Sequence, residues 1–186
     1  MEWIVLAVIG LIVLTLVIIY NRLVSLRQAR QNAFADIDVQ LKLRYDLVPN
    51  LVETVKGYAT HEKGLLEEVT QARSRAMSAG GTHERLAAEA QLSQAMFNVL
   101  AVAENYPQLQ ADANFRALQA ELSDIENKIS AARRYFNNST NEYNTAVQSF
   151  PAVLVAGALG FRQEEFFALD ALEKQAASAA PKVTFG

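Results

Sequence analysis

Two histidine–glutamate pairs, His61-Glu62 and His83-Glu84, are the first places to look for chemistry in this chain. A zinc peptidase motif of the form HExxH sets two imidazoles one helical turn apart and uses the glutamate to activate water. Here the second-histidine positions hold Leu65 and Ala87. A di-metal helical bundle needs Glu-x-x-His, but Tyr58 and Gly80 stand three residues before the two histidines. Both histidines therefore read as solvated side chains. Gly80-Gly81 lacks the lysine and hydroxyl of a phosphate loop, and no GxGxxG follows a strand pattern. No nucleophile, base and orienting group suggest themselves as a set. The sequence assigns no catalytic residue, no cofactor and no metal ligand, so the expectation is a protein that is not an enzyme.

The acidic pairs Asp36/Asp38, Glu67/Glu68 and Glu164/Glu165 read as solvated helix faces. Asn137, Asn141 and Asn144 fall on one helical stripe beside Tyr143. Buried asparagine can fix helix register at some cost in stability. Asparagine near a helix end is equally often just surface, and the spacing does not decide.

The elements that must position these residues begin with a membrane-length stretch. The chain has 186 residues and a formal net charge of −3, with a mean hydropathy of +0.06. Much of that apolar character lies in residues 3–20, WIVLAVIGLIVLTLVIIY, where no charge interrupts Trp3, Ile4, Leu11, Leu14, Ile19 and Tyr20. About 20 apolar residues in a helix cross a bilayer. The Met1-Glu2 start lacks the basic opening of a cleaved signal peptide. The expectation is a single transmembrane helix. Arg22, Arg27 and Arg30 follow it and no basic residue precedes it. The basic side then points to a cytoplasmic bundle with the N-terminus outside. There is no cysteine, which excludes disulfides and Cys-type metal sites. Mild acidity without a basic tract argues against a nucleic-acid partner.

Beyond the span no strand pattern is present. Apolar residues recur at steps of three and four: Val48, Leu51, Val55, Tyr58, then Leu65, Val69, Ala72 and Ala76, with Glu62 the exception. A second seam runs Ala111, Phe115, Leu118, Leu122, Ile125, Ile129, Ala132, Phe136, Ser139, Tyr143, Ala146 and Phe150. A shorter one holds Leu92, Met96, Val99 and Ala103. Such spacing predicts long helices packed in coiled-coil style. Gly80-Gly81 with Thr82 as N-cap, Asn105-Tyr106-Pro107 and Pro151 mark the breaks.

Helices over 21–78, 83–104 and 111–150 would measure about 87, 33 and 60 Å. The two later helices then return the chain to the membrane along the first. If Pro49 breaks the first helix instead, the same segments make a compact up-down four-helix bundle. The seam keeps phase from Val48 to Ala76, so the helix is expected to continue through Gly57 and Gly64, with a kink or a helix start at Pro49. Either way the fold class is all-α: an N-terminal transmembrane helix, then an elongated antiparallel helical bundle.

Residues 150–161, FPAVLVAGALGF, are too few to cross a bilayer as a helix. They read as a cap on the open end of the bundle, a shallow dip into the lipid interface, or an apolar patch for self-assembly. Phe150, Pro151, Leu154, Leu159 and Phe161, extended by Phe166 and Phe167, are the candidate assembly or lipid contacts. Residues 176–180 read as a loose tail.

The stretches YNRLVSLRQ from Tyr20, DLVPNLVETVKGYATHEK from Asp46, ENYPQLQADANF from Glu104, RRYFNN and EYN from Arg133, and FPAVLVAGALGF from Phe150 together resemble the LemA family, as does the closing APKVTFG. The resemblance covers nearly the whole chain in order. It implies a membrane-anchored helical bundle of bacterial type, without established enzymatic activity and associated with membrane organisation and membrane-embedded metalloproteases. Ser139-Thr140 departs from the family's more usual apolar residues. Some relatives carry a lipidated cysteine before the Tyr-Asn pair, where this chain has Ile19.

These readings give a division into a transmembrane anchor (1–21), a helical bundle (22–150), and an apolar segment with tail (151–186). The expected function is a single-pass scaffold of the bacterial inner membrane that self-associates and organises lipid or protein partners. The alternative is an adaptor of a membrane-embedded protease.

Overall fold

The computed structural model describes residues 1–59, 61–80 and 82–167, without the side chains of Thr82 and His83. The predicted N-cap of Thr82, the His83 imidazole, Gly81 and the 176–180 tail lie outside the described residues. The elements are all helical: α1 (Glu2–Lys56), α2 (Lys63–Ser78), α3 (Thr82–Ala103), α4 (Pro107–Ala111) and α5 (Ala113–Gln148), then a 3-10 turn at Ala152–Leu154. No strand occurs among the described residues, so the fold is all-α as the spacing predicts.

The helices are shared between two compact units. One comprises Met1–Val39 and Ile129–Phe167, the other Gln40–Lys128. In the first, the start of α1 packs against the end of α5. Phe34 meets Phe136, and Arg30 meets Thr140 four residues further along α5, so the two helices run antiparallel. In the second, the rest of α1 packs with α2, α3, α4 and the start of α5 around Leu41, Val48, Leu51, Val55, Val69, Leu92, Val99 and Leu109, all fully or nearly fully buried. Removing any one of these large side chains to alanine should cost about 2–5 kcal/mol.

One expectation fails here. The first helix does not run on through Gly57. It ends at Lys56, and α2 starts at Lys63. The amides of Tyr58 and Ala59 both bond back to the Val55 carbonyl, closing the last turn before the chain reverses. The phase of the seam survived because both arms of the resulting hairpin turn their apolar faces to the same core. Leu66, not Leu65, carries the first full burial in α2. Pro49 breaks nothing: it lies inside α1.

The seam of α5 is buried as expected at Phe115, Leu122, Ile125, Ile129, Phe136, Ser139, Tyr143 and Ala146. Leu92, Met96, Val99 and Ala103 form the inner face of α3. In α1 the steps of three and four also run upstream of Val48, through Leu23, Leu26, Arg30, Ala33, Ile37, Leu41 and Arg44. Two arginines thus occupy positions where the repeat calls for apolar side chains, one in each unit.

Candidate functional site

In the first unit, α1 leaves the apolar stretch and at once meets the chain's return. Leu23 packs with Tyr143, Ala146, Val147, Ala156 and Phe161, and Ile19 and Leu26 lie against this cluster. Tyr20 touches Phe161 edge-on, with ring centroids 5.6 Å apart. The Arg27 guanidinium sits 4.3 Å above the Phe161 ring and donates to the Gly160 carbonyl at 3.0 Å. Gly160 has φ of +78°, a conformation that disfavours any side chain, and it turns the chain into Phe161.

From Phe161 the chain runs back along α5, held by two asparagines. Asn144 takes the Glu164 amide on Oδ1 (2.8 Å) and gives Nδ2–H to the Glu164 carbonyl (2.9 Å). Asn137 makes the same pair with Phe167, at 2.8 and 3.1 Å. Seven residues of helix advance about 10.5 Å, and three residues of extended chain about 10 Å. The two amides therefore match every third residue of the returning segment and serve as a substitute for strand pairing. Asn141, between them, is exposed.

Arg30 explains the polar Thr140. Its Nε donates to Thr140 Oγ1 at 3.1 Å, its Nη2 to the Glu165 carbonyl at 3.1 Å, and its Nη1 lies 3.4 Å from the Glu164 carboxylate. Its guanidinium also covers Phe136 at 4.8 Å. Planar guanidinium groups suit this double use, stacking on a ring while donating at the edge.

The expected contact residues divide. Trp3, Ile4, Leu11 and Leu14 are exposed along α1, as is Tyr20; Ile19 is half-buried. Phe161 and Phe167 are buried in the unit's own core, where Phe167 also packs edge-on against Phe136. Phe150 and Leu154 stand outward, 81% and 72% exposed, joined by Leu159 and Phe166. Pro151 is exposed and follows a cis peptide bond. Beside them an open groove of about 420 Å³ runs between Ile19, Arg22 and Leu23 on one side and Glu142, Phe150 and Pro151 on the other.

The second unit holds a polar cluster that sequence reading missed. Arg44 is completely buried and bonds Glu89 (1% exposed), Glu126 at 2.7 Å and Ser93 Oγ at 3.0 Å. The Tyr45 hydroxyl donates to the other Glu89 oxygen. Three side chains, Glu89 and Ser93 on α3 and Glu126 on α5, thus share one buried cation. The available signal was Arg44 on the apolar stripe of α1, with Glu89 beside Ala88 and three residues before Leu92 on α3.

The turns of this unit are tied by phenols. Tyr58 donates to Asp112 Oδ2 at 2.9 Å, and Tyr106 to Glu62 Oε1 at 3.3 Å. Asp112 also caps α5, taking the Phe115 amide on Oδ1 at 2.9 Å. That amide, followed by the Tyr58 hydroxyl, holds the Asp112 carboxyl below its usual range. The hydrogen bond to Asp112 raises the Tyr58 phenol, while desolvation and then the Glu62 charge raise that of Tyr106. Among the described residues no group of three or more histidine, aspartate or glutamate side chains is gathered as a metal site would need.

Among the described residues one helix, α1, is long and apolar enough to cross a membrane, and none of its apolar window is buried. A membrane-length helix continuous with helical packing, and a return segment stapled beside its end, define a membrane-associated all-α protein. The chain belongs to the LemA family, whose model matches residues 33–185. It is also similar to magnetosome protein MamQ of Magnetospirillum gryphiswaldense, 24% identical over 179 residues, covering 82% of this chain and 66% of that protein. Magnetosome proteins MamQ 1 and MamQ 2 of Paramagnetospirillum magneticum are 23% identical with the same coverage. The chain thus spans 66% of the length of these curated relatives.

Proposed function

We propose that this protein is a non-enzymatic, single-pass scaffold of the bacterial inner membrane, anchored by residues 1–21, that self-associates and organises lipid or protein partners. The observation that carries this reading is the construction of the first unit. Its side chains are committed to holding residues 161–167 on α5 and residues 152–161 against the end of the apolar helix. That arrangement presents Phe150, Leu154, Leu159 and Phe166 outward. Such a surface suits assembly rather than turnover. The basic residues after the apolar stretch favour a cytoplasmic bundle, though Arg27 and Arg30 are also engaged in packing. Crosslinking of the full chain in native membranes should give adducts containing two copies or a partner. Recovery of monomer alone would overturn the scaffold. A C-terminal tag shielded from protease in spheroplasts supports the cytoplasmic side, and a cleaved tag reverses it.

A second reading is an adaptor for a membrane-embedded protease. The groove between Ile19, Leu23 and Phe150 favours it, since it opens beside the end of the span, where a neighbouring transmembrane helix would pass. Full-chain crosslinks that consistently contain a protease, and not a second copy, would replace the first reading by this one.

A further inference from the structure

Residues 150–161 carry no charge, yet Phe150, Val153, Leu154 and Leu159 are all exposed. Chain of this composition normally turns inward. Here the inward work is done by Ala156 and Phe161, which lock the segment onto Leu23, Tyr143 and Val147, with Ala152 also buried. The exposed side chains are therefore held out by a rigid base.

The position of that base decides what covers them. Phe161 meets Tyr20, the last residue of the apolar stretch, and Ile19 packs on the same cluster. Tyrosine at the end of a span sits at the headgroup level. The headgroup layer is roughly 5–8 Å deep on each side of the hydrocarbon, so a segment in contact with Tyr20 and Leu23 lies inside it. Arg22 and Arg162, both exposed, flank the apolar tip with cations. Apolar side chains backed by arginine are the composition of interfacial membrane contacts.

We propose that residues 150–160 form a second, monotopic membrane contact: Phe150, Val153, Leu154 and Leu159 enter the headgroup–acyl boundary on the bundle's side of the bilayer, with Arg22 and Arg162 at the lipid phosphates. The proposal rests on the reading of α1 as a span. It gives the first unit two fixed points in one leaflet, which sets the tilt of that unit against the membrane.

The absence of native cysteine makes the test direct. Leu154→Cys in the full chain is labelled with NBD and reconstituted in phosphatidylcholine vesicles, with and without phosphatidylglycerol. Tyr135→Cys, exposed on α5, serves as the solvent control, and Ala7→Cys reports the span. The probe at 154 should emit to the blue of the probe at 135. Nitroxide lipids labelled near the headgroup should quench it at least about twofold more than lipids labelled deep in the chain, as for an interfacial side chain. Water-like emission at 154 that nitroxide lipids do not quench overturns the proposal. A blue shift insensitive to nitroxide lipids but lost on diluting protein in the vesicle also overturns it, because a second copy then covers the patch. Phe150→Cys repeats the measurement at an independent exposed position. Deep-nitroxide quenching at position 7 keeps the span reading intact when the 154 probe fails; loss of quenching at both positions overturns the span reading as well.

Discussion

The Nε–H of Arg73 on α2 donates to the carbonyl oxygen of Tyr45 on α1 at 2.6 Å. In an uninterrupted helix that carbonyl would accept the amide of the residue four positions on. That residue is Pro49, which has no N–H. The proline thus hands an acceptor in the second unit to the neighbouring helix, and the α1–α2 hairpin closes on it.

This relationship predicts a coupled pair. Arg73→Ala should destabilise the protein by about 1–3 kcal/mol, the usual cost of removing a partner from a buried polar group. Pro49→Ala restores a helical amide to the same carbonyl, so the cost of Arg73→Ala should fall in that background. A double-mutant cycle on the full chain in detergent, followed by circular dichroism during denaturation, measures the coupling. Additive effects would mean that the proline and the arginine act independently.

The buried Arg44–Glu89 pair predicts asymmetry of another kind. Arg44→Met alone strands the Glu89 carboxylate, which is 1% exposed, and should cost about 3–5 kcal/mol. Arg44→Met with Glu89→Leu removes both charges and should recover a large part of that loss. Equal destabilisation in the single and double variants would show that Tyr45, Ser93 and Glu126 depend on the pair more than the pair's own charges do.

The asparagine staples predict a local effect. Asn137→Ala and Asn144→Ala each strip two hydrogen bonds from the returning segment. The double variant should release residues 162–167 while α1 and α5 stay helical. Trypsin cleavage after Arg162 should accelerate by an order of magnitude or more, as expected when a stabilised segment opens locally at a cost lowered by about 1–3 kcal/mol. Unchanged cleavage would leave Phe161 and Phe167 as the real fastenings.

What the sequence reveals here follows from period. The seam of α3, and that of α5 from Phe115 to Ala146, are read correctly because one apolar face per helix leaves a repeating signal. At the two ends of the second seam Ala111 and Phe150 are exposed and lie outside α5. The hairpin at Gly57 is invisible to the same test, since its two arms preserve phase across the turn. Arg30 and Arg44 hide their own helix: each stands at an inward position of α1, so the seam is lost upstream of Val48. The asparagines are conspicuous by type and spacing. Their partner is not, because residues 162–167 pair through backbone groups, which leave no trace in side-chain pattern. Phe161 and Phe150 share an apolar run, yet the first is buried and the second exposed, and composition does not tell them apart.

Acid should loosen the start of α5. Asp112 holds the Phe115 amide and the Tyr58 hydroxyl more strongly as a carboxylate, and these contacts lower its pKa. A lowered folded-state pKa means that its contribution is fully present above the unfolded value of about 3.9. It is lost as pH falls through the lower folded value. The stability gap between the native chain and Asp112→Ala should therefore be constant near neutrality and close in the acid range. Tyr58 has the opposite sign: its raised phenol contributes below the unfolded value of about 10 and fades as pH rises through the folded one. Tyr58→Phe should thus narrow its gap from the native chain in alkali, where Asp112→Ala does so in acid. Thermal melts of the three chains across pH check both limbs, and a gap for Asp112→Ala that persists in acid would remove the carboxylate from its capping role.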